Sequence, residues 1–175
     1  MTEKNENVLN IKRRIVGTYL PAILSFCVFV GLDQFVKYIV DKNMELYSSI
    51  VIWKNVFEIH YIQNPGAAWG LFENKQILFI LCTVIVLAAG IMFFVRCTKK
   101  NVFKDIRFLI VLILSGAVGN MIDRIRYQYV IDFLYFKWID FPVFNIADCY
   151  VTVGFILLII LILFKYKDED FERIK

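Results

Sequence analysis

The chain has 175 residues, of which 59% are hydrophobic, and its mean hydropathy is +0.63, against the roughly 45–50% apolar usage of a soluble domain. So much apolar surface excludes a water-soluble fold of this length. The net charge of +4 is not gathered into the basic stripe of a nucleic-acid site, so no nucleic-acid partner is expected.

A bilayer core about 30 Å thick needs about 20 mostly apolar residues per helix. Four uncharged runs approach that length: Ile15 to Leu32, Gln76 to Val95, Phe108 to Ile122, and Cys149 to Phe164. The last two are short, so flanking polar residues must complete them. The expectation is one integral membrane domain over 1–175, mainly α, with helices at about 15–40, 76–95, 104–124 and 145–164. Segments 41–75 and 125–144 lie between them on one side.

Thirteen of the 20 lysines and arginines precede the first run, separate the second from the third, or follow the fourth. By the positive-inside rule both termini are cytoplasmic and segments 41–75 and 125–144 face outward. The N-terminus has the basic-then-apolar order of a secretory signal but no small-x-small cleavage site, and reads as a retained anchor. Cys27, Cys82, Cys97 and Cys149 lack CxxC spacing, which argues against a disulfide framework or a zinc site.

In chain order, Asp33 and Lys37 come first, at i and i+4, a spacing suited to an ion pair at the outer end of the first helix. Phe57-Glu58-Ile59-His60-Tyr61 alternates like a half-buried strand, and Asn64-Pro65-Gly66 marks a turn before the apolar stretch Ala67 to Phe72. A small sheet on the membrane is expected there. On the third helix Gly116, Asn120 and Asp123 share one face, and Gly116 and Gly119 permit close helix approach. The segment from Tyr127 to Phe144 is rich in aromatic residues that favour the headgroup level, which suggests an interfacial loop. Starting the fourth helix at Asn145 puts Asp148 about one turn inside its outer end.

The motifs of zinc proteases, serine hydrolases and P-loop enzymes are missing. His60, the only histidine, reads as structural. Carboxylate chemistry remains, with Asp123, Asp132, Asp140 and Asp148 on the outer side. Two acids held close cannot both ionise and so share a proton, one serving as base towards water and the other as acid. Asp132 and Asp148 sit among apolar neighbours that suit this role. Asp123 adjoins Arg124 and lies near Arg126, which favours a structural ion pair, and Asp140 has no helix to fix it. The residues alone leave open a purely structural use of these acids.

Five segments in order carry a resemblance: Asp33-Gln34-Phe35-Val36-Lys37, Asn64 to Gly70, Gly116 to Arg124 (GAVGNMIDR), Val130-Ile131-Asp132-Phe133, and Phe144-Asn145-Ile146-Ala147-Asp148. Together they resemble the lipoprotein signal peptidases (signal peptidase II) along the whole chain. The resemblance implies four transmembrane helices with a small extracytoplasmic β-cradle and an interfacial loop. It also implies a monomeric aspartic endopeptidase of the bacterial cytoplasmic membrane, surrounded by lipid. Such an enzyme cuts prolipoproteins before their diacylglyceryl-modified cysteine and needs no metal or other cofactor.

By the same carry-over Asp132 and Asp148 are the catalytic pair. Asn64, Gly66, Asn120, Arg124 and Asn145 are substrate-binding, and Asp33, Lys37 and Asp123 are structural supports. Gln63 stands where many members have Arg, Pro65 stiffens the turn, and Cys149 stands where Ser or an aliphatic residue is common. The helix dipole makes Asp148 the candidate base. Rival readings are a proton-coupled membrane transporter or channel, and a non-catalytic lipoprotein-assembly protein.

Overall fold

The computed structural model describes residues 15–66, 75–98 and 103–172. The charged N-terminal stretch 1–14, the apolar stretch Ala67 to Phe72, and Lys99, Lys100, Arg173 and Lys175 lie outside the described residues. Among the described residues four helices are long and apolar enough to cross a membrane: α1 (Leu20–Asn43), α2 (Gln76–Cys97), α3 (Lys104–Tyr127) and α4 (Ile146–Phe164). A π-helical turn, Ile15–Tyr19, leads into α1, where Pro21 occupies the first turn, a place where its missing N–H costs no hydrogen bond. A short helix, α5 (Asp168–Glu172), follows α4.

The long helices differ in what surrounds them. Of the most apolar stretch of α3, 56% is buried, against 6% for α2, so α3 is the central post and packs against α1, α2 and α4. Its glycines permit this. A Cβ on Gly116 would strike the Ala147 carbonyl oxygen, and one on Gly119 would strike the Asp33 carboxylate. The lipid-facing sides of α1, α2 and α4 expose Leu, Ile, Val and Phe, as suits helices whose solvent is hydrocarbon.

A three-stranded antiparallel sheet, ordered β1–β2–β3, sits at the end of the bundle where α1 and α3 finish and α4 starts. Its strands are β1 (Ser49–Trp53), β2 (Phe57–Asn64) and β3 (Val130–Phe136). The sequence reading anticipated β2, but β1 and β3 are additions, and β3 converts part of the expected interfacial loop into sheet. Asn64 pairs with Val130 and Ile62 with Asp132, with an irregularity between Ile59 and Ile62. A buried cluster of Val40, Tyr61, Ile131 and Phe133 joins the sheet to α1, and a second around Phe103, Ile106, Ile110 and Tyr166 closes the opposite end.

Candidate active site

Two chain reversals bring the acids together. Gln128, in the left-handed region at φ 64°, ends α3 and lets the chain return as β3, which carries Asp132. After a single 3-10 turn, Lys137–Ile139, the chain comes back along β3. There Leu134 N–H donates to the Phe144 carbonyl at 2.7 Å and Phe144 N–H donates to the Leu134 carbonyl at 3.0 Å. Asn145 is thereby held beside Asp132, and α4 begins immediately.

Asn145 is fully buried and performs three tasks. Its Oδ1 accepts from the Asp148 N–H at 3.0 Å, while its own N–H donates to Asp148 Oδ2 at 3.0 Å. This reciprocal capping box fixes the first turn of α4. Its Nδ2 donates to Asp132 Oδ1 at 2.6 Å. Asn64 at the end of β2 donates to Asp132 Oδ2 at 2.8 Å, and Asn120 on α3 donates to Asp148 Oδ1 at 2.8 Å. The two carboxyls are thus held by three amide side chains from three elements.

Electrostatics separate Asp132 from an ordinary carboxylate. It is 3% exposed, and burial pushes its carboxyl up to about 7. The nearby charge of Asp148 adds to the rise, while the donors Asn64 and Asn145, and more distant Lys37, oppose it. Desolvation wins because neutral amide donors return only part of the hydration that a carboxylate loses. Asp132 can therefore hold or release a proton near neutral pH.

Behind the pair lies a buried ionic cluster. Lys37 Nζ lies 3.0 Å from Asp33 Oδ2 and 2.9 Å from Asp123 Oδ2, and it donates to Asn120 Oδ1 at 2.8 Å. The Asp33–Lys37 pair is therefore real but sealed in the bundle, not an exposed pair at a helix end. Asp123 takes Lys37 as its cation: Arg124, the next residue, diverges by about 100° around the helix, and Arg126 lies over the Tyr127 ring, 5.1 Å from its centroid. Asp33 Oδ1 also accepts from the Ala147 N–H at 3.0 Å, which ties α1 to the first turn of α4.

Arg124 points the other way. Its guanidinium lies over the Phe79 ring, 4.6 Å from the centroid, with Nη2 donating to the Gly66 carbonyl at 3.5 Å. Its Nε is buried without a partner among the described residues. Gly66 N–H donates to Asn64 Oδ1 at 3.0 Å and closes the expected turn. Asn64, Gly66, Asn120, Arg124, Asp132 and Asp148 all line one cavity of about 490 Å³, completed by an apolar wall that includes Phe141, Phe144 and Val153. Asp140 lies elsewhere, paired with the Tyr135 hydroxyl at 2.6 Å.

Sequence reasoning gave no role to Gln34, whose Nε2 donates to Asp123 Oδ1 at 2.8 Å and to the Gly119 carbonyl at 3.1 Å. Gln76 was missed too, and its Nε2 donates to the Pro65 carbonyl at 2.5 Å. The available signal in each case was an uncharged amide at the site end of an apolar helix.

A bundle of membrane-length helices, with a small sheet that brings the buried Asp132 carboxyl and the half-buried Asp148 carboxyl to one cavity, defines an integral membrane protein with a candidate acid-pair centre. The chain belongs to the signal peptidase II family, whose model, described as Signal peptidase (SPase) II, matches residues 25–164, and it is accordingly a protease. It is 41% identical to the lipoprotein signal peptidase of Streptococcus thermophilus strain CNRZ 1066 over 136 residues, covering 78% of this chain and 87% of that relative. It is also 41% identical over 144 residues to the one from Clostridium tetani strain Massachusetts / E88, covering 81% and 89%. Two solved structures described as bacterial membrane enzymes share the fold at 34% identity. The first has a TM-score of 0.74 over 85% of this chain and 92% of that one, the second 0.71 over 84% and 94%.

Proposed function

We propose that this protein is an aspartic endopeptidase that removes signal peptides from bacterial prolipoproteins, cutting just before the diacylglyceryl-modified cysteine, with Asp132 and Asp148 as its catalytic acids. The observation that carries this reading is that both carboxyls face one cavity while a single residue, Asn145, bonds to each.

A water between the carboxyls loses a proton to Asp148 as its oxygen bonds to the scissile carbonyl carbon. The tetrahedral intermediate collapses, the C–N bond breaks, and Asp132 delivers its proton to the departing amine. Proton transfer from Asp148 to Asp132 then resets the pair. Asp132 suits the acid role because it retains its proton up to about pH 7. Asp148 suits the base role, since it accepts two N–H donors at the positive end of a helix dipole.

In this reading Asn64, Gly66, Asn120 and Arg124, which line the cavity, hold the substrate backbone, whereas Asn145, expected among the substrate-binding residues, is fully buried and orients the acids from below instead. Val153, 49% exposed on α4, carries the cavity's apolar wall to the lipid-facing surface, where the diacylglyceryl group would lie. Asp33, Lys37 and Asp123 act as supports. The distribution of basic residues favours cytoplasmic termini and a site at the outer face of the bacterial cytoplasmic membrane. The cavity is built by one chain, in keeping with a monomer. A proton-relay transporter is not favoured, because the acids gather at one end of the helices instead of recurring through the span.

The test is cleavage of a diacylglyceryl prolipoprotein peptide by the protein in lipid nanodiscs. Asp132→Asn and Asp148→Asn should each lower turnover by about 10²–10⁴-fold while substrate binding survives. Substantial turnover in either variant would overturn the assignment.

A further inference from the structure

Gln76 opens α2, and within that helix only Gln76 and Cys97 are buried. The residues between them are partly or wholly exposed, as suits a helix whose solvent is hydrocarbon, and an amide sealed in its first turn is expensive unless it is paired. Its Nε2 donates to the Pro65 carbonyl at 2.5 Å. Gln76 itself does not line the cavity of the acid pair, so what it contributes there passes through Pro65.

The accepting carbonyl belongs to the peptide unit that joins Pro65 to Gly66. Because that unit is planar, a donor held on its oxygen also sets the direction of its N–H. This N–H donates to Asn64 Oδ1 at 3.0 Å. With Oδ1 engaged, the Asn64 amide turns Nδ2 the other way, and Nδ2 donates to Asp132 Oδ2 at 2.8 Å. A series of hydrogen bonds thus runs from α2 to the acid. A restraint is needed at this bend, because Pro-Gly is a central pair that both common β-turns accept, and those turns differ in which way the peptide between the pair points. Glycine removes the steric penalty that would otherwise choose between them. Arg124 adds a longer contact at the next carbonyl, 3.5 Å from Gly66, and Phe79, one helical turn after Gln76, carries its guanidinium.

We propose that Gln76 is a positioning residue for the peptidase reaction: it holds the Pro65–Gly66 peptide in one orientation and so keeps the Asn64 amide on Asp132. The inference rests on the reading of Asp132 as the acid of that reaction. Without the Gln76 donor the peptide samples both orientations, and in one of them Asn64 loses the N–H that fixes its oxygen. The Asp132 carboxyl then loses a neutral donor while the charged groups around it, Asp148 on α4, Lys37 on α1 and Arg124 on α3, stay as they are.

The chain has a single Pro-Gly pair. Proline labelled at its carbonyl carbon and glycine labelled at nitrogen with their NMR-active isotopes therefore give one carbonyl–amide cross-peak, from the Pro65–Gly66 peptide, in spectra of the full chain in detergent micelles. Gln76→Met keeps the side-chain volume and removes the donor. It should displace or double that cross-peak and lower single-turnover cleavage of a diacylglyceryl prolipoprotein peptide about fivefold. The alkaline limb of the pH profile should move to higher pH, since the Asn64 donor opposes the rise of the Asp132 carboxyl. In an Asn64→Ala background Gln76→Met should cost nothing further, because residues acting in series are not additive. Gln76→Asn, with the amide on a shorter arm, should give the same results and replaces Met if that variant fails to fold. An unchanged cross-peak in a folded variant, a displaced one with normal cleavage and limb, or an equal loss in the Asn64→Ala background would overturn the proposal. Wild-type protein that leaves the peptide uncut would instead overturn the peptidase reading, while the cross-peak still decides whether Gln76 holds the bend.

Discussion

Lys37→Met tests whether the buried cluster is the electrostatic support of the acid pair. Met keeps most of the stem volume and removes the charge. The ammonium lies 3.0 Å from Asp33 and 2.9 Å from Asp123, and the three side chains are at most 2% exposed. Without it two carboxylates remain buried with, among the described residues, only neutral hydrogen-bond donors: Gln34, the Ala147 N–H and the Ile131 N–H. Removing one partner of a buried ion pair typically costs about 3–5 kcal/mol, and Lys37→Met should cost as much. The triple variant Asp33→Asn, Lys37→Met, Asp123→Asn leaves no buried charge in the cluster and keeps oxygens to accept from the Ala147 and Ile131 N–H groups. It should recover all but about 1–2 kcal/mol of that loss, since neutral replacement of a buried ionic triad is often tolerated. Unfolding in detergent micelles titrated with dodecyl sulfate, followed by circular dichroism, measures both. Cleavage by the triple variant should stay below wild type, because Asn120 loses the cationic donor that orients its amide towards Asp148. A loss below about 1 kcal/mol for Lys37→Met, or a triple variant as unstable as the single one, would refute the reasoning.

The kcat/KM profile should fall above about pH 7, where Asp132 loses the proton it donates, and a flat alkaline limb in single-turnover measurements would count against this. The same group affects stability: the folded state holds the Asp132 proton more tightly than the unfolded state. Its favourable contribution is therefore complete below 3.8 and is lost as pH rises to about 7. Asp132→Asn should flatten stability across that window in chemical unfolding curves. Asn145→Ala should cost at least the 0.5–2 kcal/mol of a lost helix cap and depress turnover further, since both carboxyls lose a donor or their placement; normal turnover would refute its bridging role. Gly116→Ala should destabilise by about 1–3 kcal/mol through overpacking, because its Cβ meets the Ala147 backbone; an unchanged unfolding midpoint would show that α3 and α4 can part without penalty.

The membrane helices were legible because hydrocarbon selects on length and apolarity, which a single sequence displays directly. Asp132 and Asp148 were legible as candidates because each interrupts an apolar stretch. The sheet was only partly so. β2 alternates over Phe57 to Tyr61, but Ser49–Trp53 and Val130–Phe136 carry apolar residues on both faces with one polar residue each, Ser49 and Asp132, and a short apolar run without alternation does not announce a strand. The partner of Asp123 was hidden for another reason. Arg124 is adjacent in sequence, yet the cation that reaches Asp123 is Lys37 on another helix. Gln34 lay within a recognised segment, but an amide carries no charge to suggest which group it serves.

The placement of cations explains why amides surround the acid pair. Lys37 is taken up by Asp33, Asp123 and Asn120, and Arg124 rests on Phe79 with Gly66 as an acceptor. Neither makes a hydrogen bond or ion pair with Asp132 or Asp148. The contacts to those carboxyls come from Asn64, Asn120 and Asn145. A lysine or arginine in contact with Asp132 would favour its carboxylate and remove the acid that a departing amine requires. A neutral N–H donor fixes the direction of the carboxyl while opposing its protonation far less. Burial can then outweigh the donors and leave Asp132 near 7, so the amides supply geometry and the apolar surroundings keep the proton available.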